Sequence, residues 1–257
     1  MIGAIAGDIV GSVHEWAKTK RKDFAFWALG SRFTDDTVLT VAVAEHLLTG
    51  HDLVDLFHAY VHAYPEAGYG GTFLRWATSR SRAPYGSWGN GSAMRVSPVG
   101  FAATSRAEAL DLAARTASVT HDHREGVRGA QAVALAIYLA RTGTDKTAIR
   151  RAVENDLGYD LAMTLDEIRP TYRFDVSCQG SVPQAIVAFL ESSDYEDALR
   201  NAISLGGDAD TMACIAGGIA EAFYGGVPEP IRARALAYLD ERLLGVVEAF
   251  ERRFGSG

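Results

Sequence analysis

Residues 206–224 read GGDADTMACIAGGIAEAFY. Two glycines and a short acidic segment lead directly into an apolar run that begins at Met212 and lasts to Tyr224. An apolar run of this length is typical of a helix that is buried on most sides. Asp208 and Asp210 lie at its start, where carboxylates interact favourably with the unpaired N–H groups of a first helical turn. The segment therefore predicts a buried helix that begins with acidic groups.

A second acidic segment has the same arrangement. Thr34, Asp35, Asp36 and Thr37 come directly before an apolar run over 38–48. Each acidic segment has an ordinary interpretation, because Thr and Asp are preferred at helix N-caps. A cap needs only one side-chain acceptor, however, and each segment supplies two carboxylates. For either segment alone, both interpretations stay open.

Taken together, the two acidic segments favour a metal site. Burying four carboxylates beside apolar helix starts is costly unless cations neutralise them. The candidate ligand atoms are all oxygen, which suits Mg²⁺ or Mn²⁺ better than Zn²⁺. Four carboxylates could hold two such ions, as in other two-metal sites. More than half of the chain separates the two segments, so only the fold decides whether they meet.

Helix signals recur along the chain, whereas strand signals are weak. Ser105, Ser181 and Ser193 each stand three residues before a Glu or Gln, which is the pattern of a capping box. One amphipathic C-terminal helix is predicted from the spacing of Leu236, Leu239, Leu243, Val246, Phe250 and Phe254. We interpret residues 172–177 as a connecting segment. The sequence thus predicts one all-α domain over residues 1–257, with roughly ten or more helices.

The composition excludes several classes of protein. The 257 residues include 25 Lys and Arg against 32 Asp and Glu, which gives a formal net charge of −7. Such a chain is poorly suited to non-specific nucleic-acid binding, which depends on basic side chains that displace counterions. Two cysteines are too few for a disulfide framework, and the apolar stretches are shorter than the roughly 20 residues of a membrane helix. We therefore expect a cytoplasmic monomer without membrane contact.

Further segments contain residues that could bind a ligand or take part in catalysis. GSWGNGSAMR, residues 86–95, is rich in glycine and hydroxyl groups, and such a backbone can turn its N–H groups toward an anion. An ordinary glycine-rich turn is the alternative, because the segment lacks the features of a P-loop. Asp8 requires a polar partner within an apolar helix, and Glu15 follows at the exit of that helix. The basic run over 18–22 is interpreted as a solvated loop, with contact to a polyanionic substrate as the alternative.

These segments together resemble the ADP-ribosylglycohydrolases, the family that includes the dinitrogenase-reductase-activating glycohydrolases. The resemblance extends from Gly3 to about Gly226 and is most specific at residues 33–37, 87–95 and 203–211. It implies a compact, orthogonal, multi-helix all-α domain with a site for two Mg²⁺ ions, for which Mn²⁺ could substitute.

The resemblance also implies roles for individual residues. The implied metal ligands are Thr34, Asp35, Asp36, Asp208, Asp210 and Thr211. The implied substrate-binding residues are Gly86, Ser87, Trp88, Gly89, Asn90 and Gly91, which hold the diphosphate and adenosine, and His121 near the distal ribose. Glu15 falls where the serine-type branch of the family has a catalytic glutamate, and Asp35 and Asp36 are the other catalytic carboxylates.

The expected activity is hydrolysis of the glycosidic bond at C1″ of an ADP-ribose conjugate, with release of ADP-ribose. The alternative is a non-catalytic module that binds ADP-ribose, such as a toxin inhibitor. The acceptor stays open among serine, arginine, a nucleobase and the acetyl ester, because all of them present the same ADP-ribose half. The match over 7–15 favours the O-linked acceptors, whereas the short and basic segment over 16–33 keeps a nucleic-acid conjugate open.

Overall fold

A computed structural model describes residues 1–255 of the chain, and it confirms the all-α prediction. Within this range no strand is formed, and the only pairing of that kind is one isolated antiparallel bridge between Gly89 and Ser177. The helices are α1 Ile2–Gly11, α2 Asp35–Thr49, α3 Leu53–Ala63, α4 Gly71–Thr78, α5 Gly91–Met94, α6 Ser97–Ala102, α7 Arg106–Ser118, α8 Arg124–Arg141, α9 Lys146–Leu157, α10 Leu165–Ile168, α11 Cys178–Leu190, α12 Tyr195–Ile203, α13 Ala209–Tyr224, α14 Glu229–Leu236 and α15 Glu241–Phe254.

Helix α13 lies at the centre of the fold, as its apolar sequence predicts. Every side chain from Ala209 to Ala220 is buried, and the helix packs against α1, α8, α11 and α12. Nearly all buried apolar side chains of the described residues form one contiguous cluster. Because α13 is surrounded by other helices, its first turn lies inside the protein rather than at the surface.

Helix α1 approaches α13 closely along a stripe of glycines. Gly3, Gly7 and Gly11 are four residues apart and therefore lie on one face of α1. A Cβ atom on Gly7 would lie only 2.1 Å from the carbonyl oxygen of Ala213, and one on Gly11 would lie 2.5 Å from Cα of Asp210. The two backbones can lie this close only because these positions have no side chain. The stripe thus brings the end of α1 to the beginning of α13.

Several predicted helix boundaries are wrong. Ser181 lies inside α11, whose N-cap is Ser177, and the cap of α12 is Asp194 rather than Ser193. The prediction of a cap at Ser105 is confirmed, since its hydroxyl accepts from the backbone N–H of Glu108. These errors arise because each helix start offers two capping residues, Ser177 or Ser181 for α11 and Ser193 or Asp194 for α12, and local sequence does not show which of them leaves the helical conformation.

The C-terminal amphipathic pattern belongs to two helices rather than one. Helix α14 ends at Leu236, and α15 begins only at Glu241 with Asp240 as its N-cap. The side chain of Asp240 accepts a hydrogen bond from the backbone N–H of Leu243 over 2.9 Å. The short connection between the two helices leaves the apolar period nearly unchanged, so the period alone does not reveal the break.

No helix among residues 1–255 is both long enough and apolar enough to cross a membrane.

Candidate active site

The two acidic segments meet in the folded protein. Carboxylate oxygens of Asp8, Asp36 and Asp210 all lie within 4.8 Å of one another, and all three side chains are buried. The hydroxyl of Thr211 donates a hydrogen bond to Oδ2 of Asp36 over 3.2 Å. The first turn of α2 and the first turn of α13 therefore form one acidic cluster, with the buried end of α1 beside it.

Asp8 supports this cluster from α1. Its carboxylate accepts hydrogen bonds from the backbone N–H of Thr34 over 2.8 Å and from the Thr34 hydroxyl over 2.6 Å. The backbone N–H and the hydroxyl of Thr37 donate to the same carboxylate. These four bonds are the polar partner that the sequence requires for Asp8. They occupy both of its oxygens, so Asp8 orients the start of α2.

Burial and mutual repulsion make this cluster electrostatically unfavourable as a set of bare anions. Burial, together with the charge of Asp210, raises the pKa of Asp8 to about 7. The same two causes raise the pKa of Asp35, Asp36 and Asp208 well above the usual range of an aspartate. Carboxylates held this close require either protons or a cation between them.

The residues present fit a divalent cation. Within residues 1–255, no Lys, Arg or His nitrogen lies within 4.0 Å of the carboxylates of Asp8, Asp35, Asp36, Asp208 or Asp210. Oδ1 of Asp36 is buried and has no hydrogen-bond partner in the described structure. A buried, unpartnered carboxylate oxygen among hard oxygen donors is the arrangement that Mg²⁺ or Mn²⁺ would complete.

A cleft of about 380 Å³ opens over the acidic cluster. A cavity of this size is within the range of small-molecule sites. The predicted site residues that line it are Glu15, Thr34, Asp35, Asp36, Ser87, Gly89, Asn90, Gly91, His121, Asp208, Asp210 and Thr211. Residues from five segments of the chain are thus brought to one cavity. Gly86 and Trp88 are not among its lining residues, and the Trp88 side chain is half exposed.

The glycine loop, residues 86–91, is held beside the cluster by the segment before α11. The backbone N–H of Asn90 donates to the carbonyl of Val176 over 2.7 Å, and the N–H of Cys178 donates to the carbonyl of Trp88 over 3.0 Å. Gly86 has a φ of +67°, a backbone conformation that favours glycine. These contacts fix one wall of the cleft.

The same loop is joined directly to the acidic cluster. The side-chain amide of Asn90 donates to Oδ2 of Asp208 over 2.7 Å, and both residues are buried. This bond favours the ionised form of Asp208 and opposes the effect of burial on its pKa. The glycine loop and the acidic cluster therefore form one connected structure.

His121 faces the glycine loop from the other side. Its Nδ1 is hydrogen-bonded to the Thr120 hydroxyl over 2.7 Å, and that hydroxyl also accepts from the guanidinium of Arg95 over 2.7 Å. Burial and the charge of Arg95 hold the pKa of His121 well below its usual range, so the ring is neutral. A Cβ atom on Gly91 would lie 3.2 Å from Nε2 of His121. Glycine at this position leaves space around that nitrogen.

Glu15 lies in the turn that follows α1, at the edge of the same cleft. Burial, and after it the charge of Asp210, raises its pKa to about 7, although the charge of Arg32 opposes the shift. A carboxyl group with this pKa exchanges its proton near neutral pH, which suits a general acid or base.

Several residues that line the cleft are absent from the sequence-based set. Phe174 and Val176 come from residues 172–177, which the sequence presents only as a connection, and Arg32 and Tyr85 come from loops. Arg95 belongs to the glycine-rich motif, and no separate role is predicted for it from the sequence. In the structure it is almost fully buried and also lines the cleft. The position of Arg95 between Met94 and Val96 is the one local signal that indicates a buried cation.

Comparisons with known proteins agree with the geometry. Residues 1–256 match the model of the family described as ADP-ribosylglycohydrolase. ADP-ribosylhydrolase ARH3 of Mus musculus is 29% identical over 307 residues, which cover 88% of this chain and 82% of that protein. ADP-ribosylarginine hydrolase Tri1 of Pseudomonas putida (strain GB-1) is 31% identical over 143 residues, covering 53% of this chain and 38% of that protein. A solved structure of an ADP-ribosylglycohydrolase-related protein complex has a TM-score of 0.68 and 27% identity, and covers 99% of this chain and 97% of that chain.

Proposed function

Because the chain belongs to the ADP-ribosylglycohydrolase family, we propose that it is a Mg²⁺-dependent ADP-ribosylhydrolase that releases ADP-ribose from conjugates. The observation that carries this proposal is the joining of the two acidic segments under one cleft, with Asn90 of the glycine loop bonded to Asp208. Binding of a diphosphate alone would not require buried carboxylates, because anions are bound by N–H groups and cations. The acidic cluster therefore supports catalysis over a non-catalytic binding module.

The proposed metal ligands are Thr34, Asp35, Asp36, Asp208, Asp210 and Thr211. Asp8 is left out of this set because Thr34 and Thr37 already occupy its two oxygens. When bound, Mg²⁺ would supply positive charge among the carboxylates and coordination for the hydroxyl groups of the distal ribose. The unpartnered Oδ1 of Asp36 is the atom that gains most from such an ion.

The glycine loop is the proposed site for the diphosphate and adenosine. Gly89 and Gly91 leave room for a ligand to approach the backbone, and the hydroxyl of Ser87 lies in the same wall of the cleft. The half-exposed ring of Trp88 offers a flat face for the adenine at the rim. His121, neutral and with Nε2 directed at the loop, is suited to a hydrogen bond with a ribose hydroxyl.

Glu15 is the proposed general acid. The bond between C1″ and the acceptor atom breaks as Glu15 gives its proton to that atom, and a water molecule adds its OH group to C1″. The remaining proton of this water returns to Glu15, so the products are ADP-ribose and the free acceptor. The carboxylates of Asp35 and Asp36 stabilise the positive charge that develops on the ribose in an oxocarbenium-like transition state.

The test is release of free ADP-ribose from a panel of conjugates, each with one ADP-ribose on serine, on arginine, on a nucleic acid or as the acetyl ester. We expect turnover with Mg²⁺, none after exhaustive treatment with EDTA, and recovery when Mg²⁺ is added back. Asp35→Ala and Asp210→Ala should each abolish turnover, whereas Asp111→Ala, on the exposed surface of α7, should not.

Two results would contradict the proposal. Full activity of Asp35→Ala, of Asp210→Ala or of the EDTA-treated protein would exclude the metal-dependent mechanism. Tight binding of ADP-ribose without release from any conjugate would instead indicate a non-catalytic module.

A further inference from the structure

An aromatic pair lies next to the proposed general acid. Trp16 directly follows Glu15, and its ring stacks on that of Phe174 with centroids 5.5 Å apart and an interplanar angle of 19°. Trp16 is 76% exposed and Phe174 is 40% exposed, while Phe174 also lines the cleft. The pair therefore extends from the mouth of the cleft to the protein surface.

Such a pair is unusual for a protein surface. Large apolar side chains that border a cleft commonly mark a site of binding, whereas single ones elsewhere need no explanation. Val176 and Trp88 are exposed in the same neighbourhood, since the backbone of Val176 is bonded to the glycine loop. One face of the Trp16 ring is covered by Phe174, and the high exposure of Trp16 shows that most of the rest is open to solvent.

The two loop segments that carry this pair also contain several basic side chains. The ammonium group of Lys20 donates to the backbone carbonyls of Tyr172 and Leu205. The bond to Tyr172 connects the loop that carries Trp16 to the segment that carries Phe174. Lys18, Lys20, Arg32 and Arg173 have no carboxylate within 4.0 Å in the described part of the chain. The chain as a whole has a net charge of −7, whereas the two segments that carry Trp16 and Phe174 also carry these four cations, and Arg32 lines the cleft.

The position of Glu15 decides which part of a substrate this surface meets. A general acid must lie beside the leaving group that it protonates. The glycine loop, which is the proposed site for the ADP-ribose half, is bonded to the backbone of Val176, whereas Trp16 directly follows Glu15. A leaving group protonated by Glu15 would therefore pass the ring of Trp16.

We propose that the acceptor is a single-stranded nucleic acid, which stacks a base on Trp16 and places its phosphates on Lys18, Arg32 and Arg173. Exposed aromatic rings beside a track of cations are the chemistry by which proteins bind single strands. A peptide with a modified serine requires neither a flat exposed ring nor several cations without a paired carboxylate. This inference rests on the proposed hydrolase activity and names its substrate class.

The first test compares two substrates in the presence of Mg²⁺: a single-stranded oligonucleotide and a serine peptide, each with one ADP-ribose. We expect kcat/KM to be at least about tenfold higher for the oligonucleotide at low salt, and to fall at least about tenfold when the salt concentration is raised fourfold. Trp16→Ala should lower kcat/KM for the oligonucleotide by about tenfold or more, and leave that for the peptide unchanged.

Matched variants separate stacking from general effects on folding. Trp16→Phe should recover most of the loss, because a phenyl ring also stacks. Leu29→Ala removes another fully exposed apolar side chain of the same loop, outside the cleft lining, and should change neither substrate. The double variant Lys18→Ala/Arg173→Ala should weaken the salt dependence for the oligonucleotide, whereas Arg115→Ala, on the surface of α7, should not.

The second test uses binding, which does not depend on turnover. An unmodified, fluorescently labelled single-stranded DNA of about 12 nucleotides should bind the wild type at low salt and bind Trp16→Ala at least about tenfold more weakly. Absence of binding would overturn the inference, whether or not the protein is a hydrolase.

The outcomes for the two proposals differ. Equal or better turnover of the serine peptide, or an equal effect of Trp16→Ala on both substrates, would overturn the nucleic-acid inference and leave the hydrolase activity standing. No release of ADP-ribose from any conjugate would contradict the proposed function, and the binding test would then decide the nucleic-acid inference alone.

Discussion

The side-chain amide of Asn90 donates a hydrogen bond over 2.7 Å to Oδ2 of Asp208, although 118 positions separate the two residues. One residue belongs to the glycine loop and the other precedes the first turn of α13. The bond ties the proposed substrate-binding wall to a proposed metal ligand and fixes one oxygen of that ligand. A ligand oriented in this way loses less conformational freedom when it binds a cation.

Asn90→Ala should therefore weaken Mg²⁺ binding by about 10- to 100-fold, because groups that orient a metal ligand have effects of this size. The measurement is the Mg²⁺ concentration at half-maximal activity. Asn201→Ala is a suitable control, since this buried amide donates to the carbonyl of Ala188 in another part of the fold. The control should lose stability without a change in Mg²⁺ requirement. An unchanged requirement in Asn90→Ala would contradict the prediction.

Gly7→Ala should destabilise the protein by more than about 2 kcal/mol, because its new Cβ atom would overlap the backbone of α13. Thermal and denaturant unfolding measure this change. Gly245→Ala, inside α15, is the matched control, since a Cβ atom there meets nothing within 4 Å. Replacing a helical glycine by alanine in open space should instead stabilise by about 0.5–1 kcal/mol. Equal effects of the two substitutions would be inconsistent with close packing of α1 on α13.

Glu15→Gln should lower kcat by about 10²–10⁴-fold and leave KM nearly unchanged, because it removes the proton donor but keeps the shape. The raised pKa of Glu15, about 7, means that the acid form dominates below that pH. The kcat of the wild type should therefore fall as the pH rises through the pKa of Glu15. Positive charge from Mg²⁺ favours the carboxylate and would move this decline to lower pH.

A pH profile of kcat between about 5 and 9 tests this prediction. The declining limb should disappear in Glu15→Gln. Glu248→Gln, an exposed substitution on α15, should keep the wild-type profile. Wild-type activity of Glu15→Gln would show that another group protonates the acceptor.

The stability of the metal-free protein should fall as the pH rises from about 5 to 8. The pKa of Asp8, Asp35, Asp36 and Asp208 is raised in the folded protein, so the folded state binds protons more tightly than the unfolded chain. The resulting stabilisation is complete below the ordinary aspartate pKa and is lost as the pH rises through the higher folded values.

Mg²⁺ should reverse this loss. At pH 8, a concentration about 100 times the dissociation constant should raise Tm by roughly 5–10 °C, and the increase should be smaller at pH 5.5 because protons compete for the same oxygens. Differential scanning calorimetry with and without Mg²⁺ measures both effects. The double variant Asp35→Asn/Asp210→Asn should show no increase of Tm with Mg²⁺ at either pH, and a pH-independent response to Mg²⁺ in the wild type would rule out this acidic cluster as the binding site.

Much of the architecture could be predicted from local sequence. The apolar run from Met212 and the caps of several helices identify an all-α protein, because helix period and capping are properties of neighbouring residues. Local sequence does not predict the break between α14 and α15, nor the start of α11 at Cys178. At those points a Ser or Asp competes with a nearby alternative, and tertiary packing decides which one ends the helix.

The residues of the candidate site could be predicted from local sequence only in part. Thr34, Asp36 and Asp210 stood out because four carboxylates at apolar helix starts are more than capping requires. Phe174 and Arg32 gave no local signal, since a single aromatic or basic residue in a loop has many ordinary interpretations. Their position at the cleft follows from how the loops pack against α1 and α13.

The sequence by itself determined the helices, the acidic groups at two helix starts and the glycine stripe on α1. Only the tertiary structure decided that Asp36 and Asp210 share one cluster, that Asp8 is saturated by Thr34 and Thr37, and that Trp16 stacks on Phe174. The physical reason is that periodicity and capping act between residues a few positions apart. Desolvation, charge repulsion and ligand binding act instead through space, and the close contact of α1 with α13 creates the distances on which they depend.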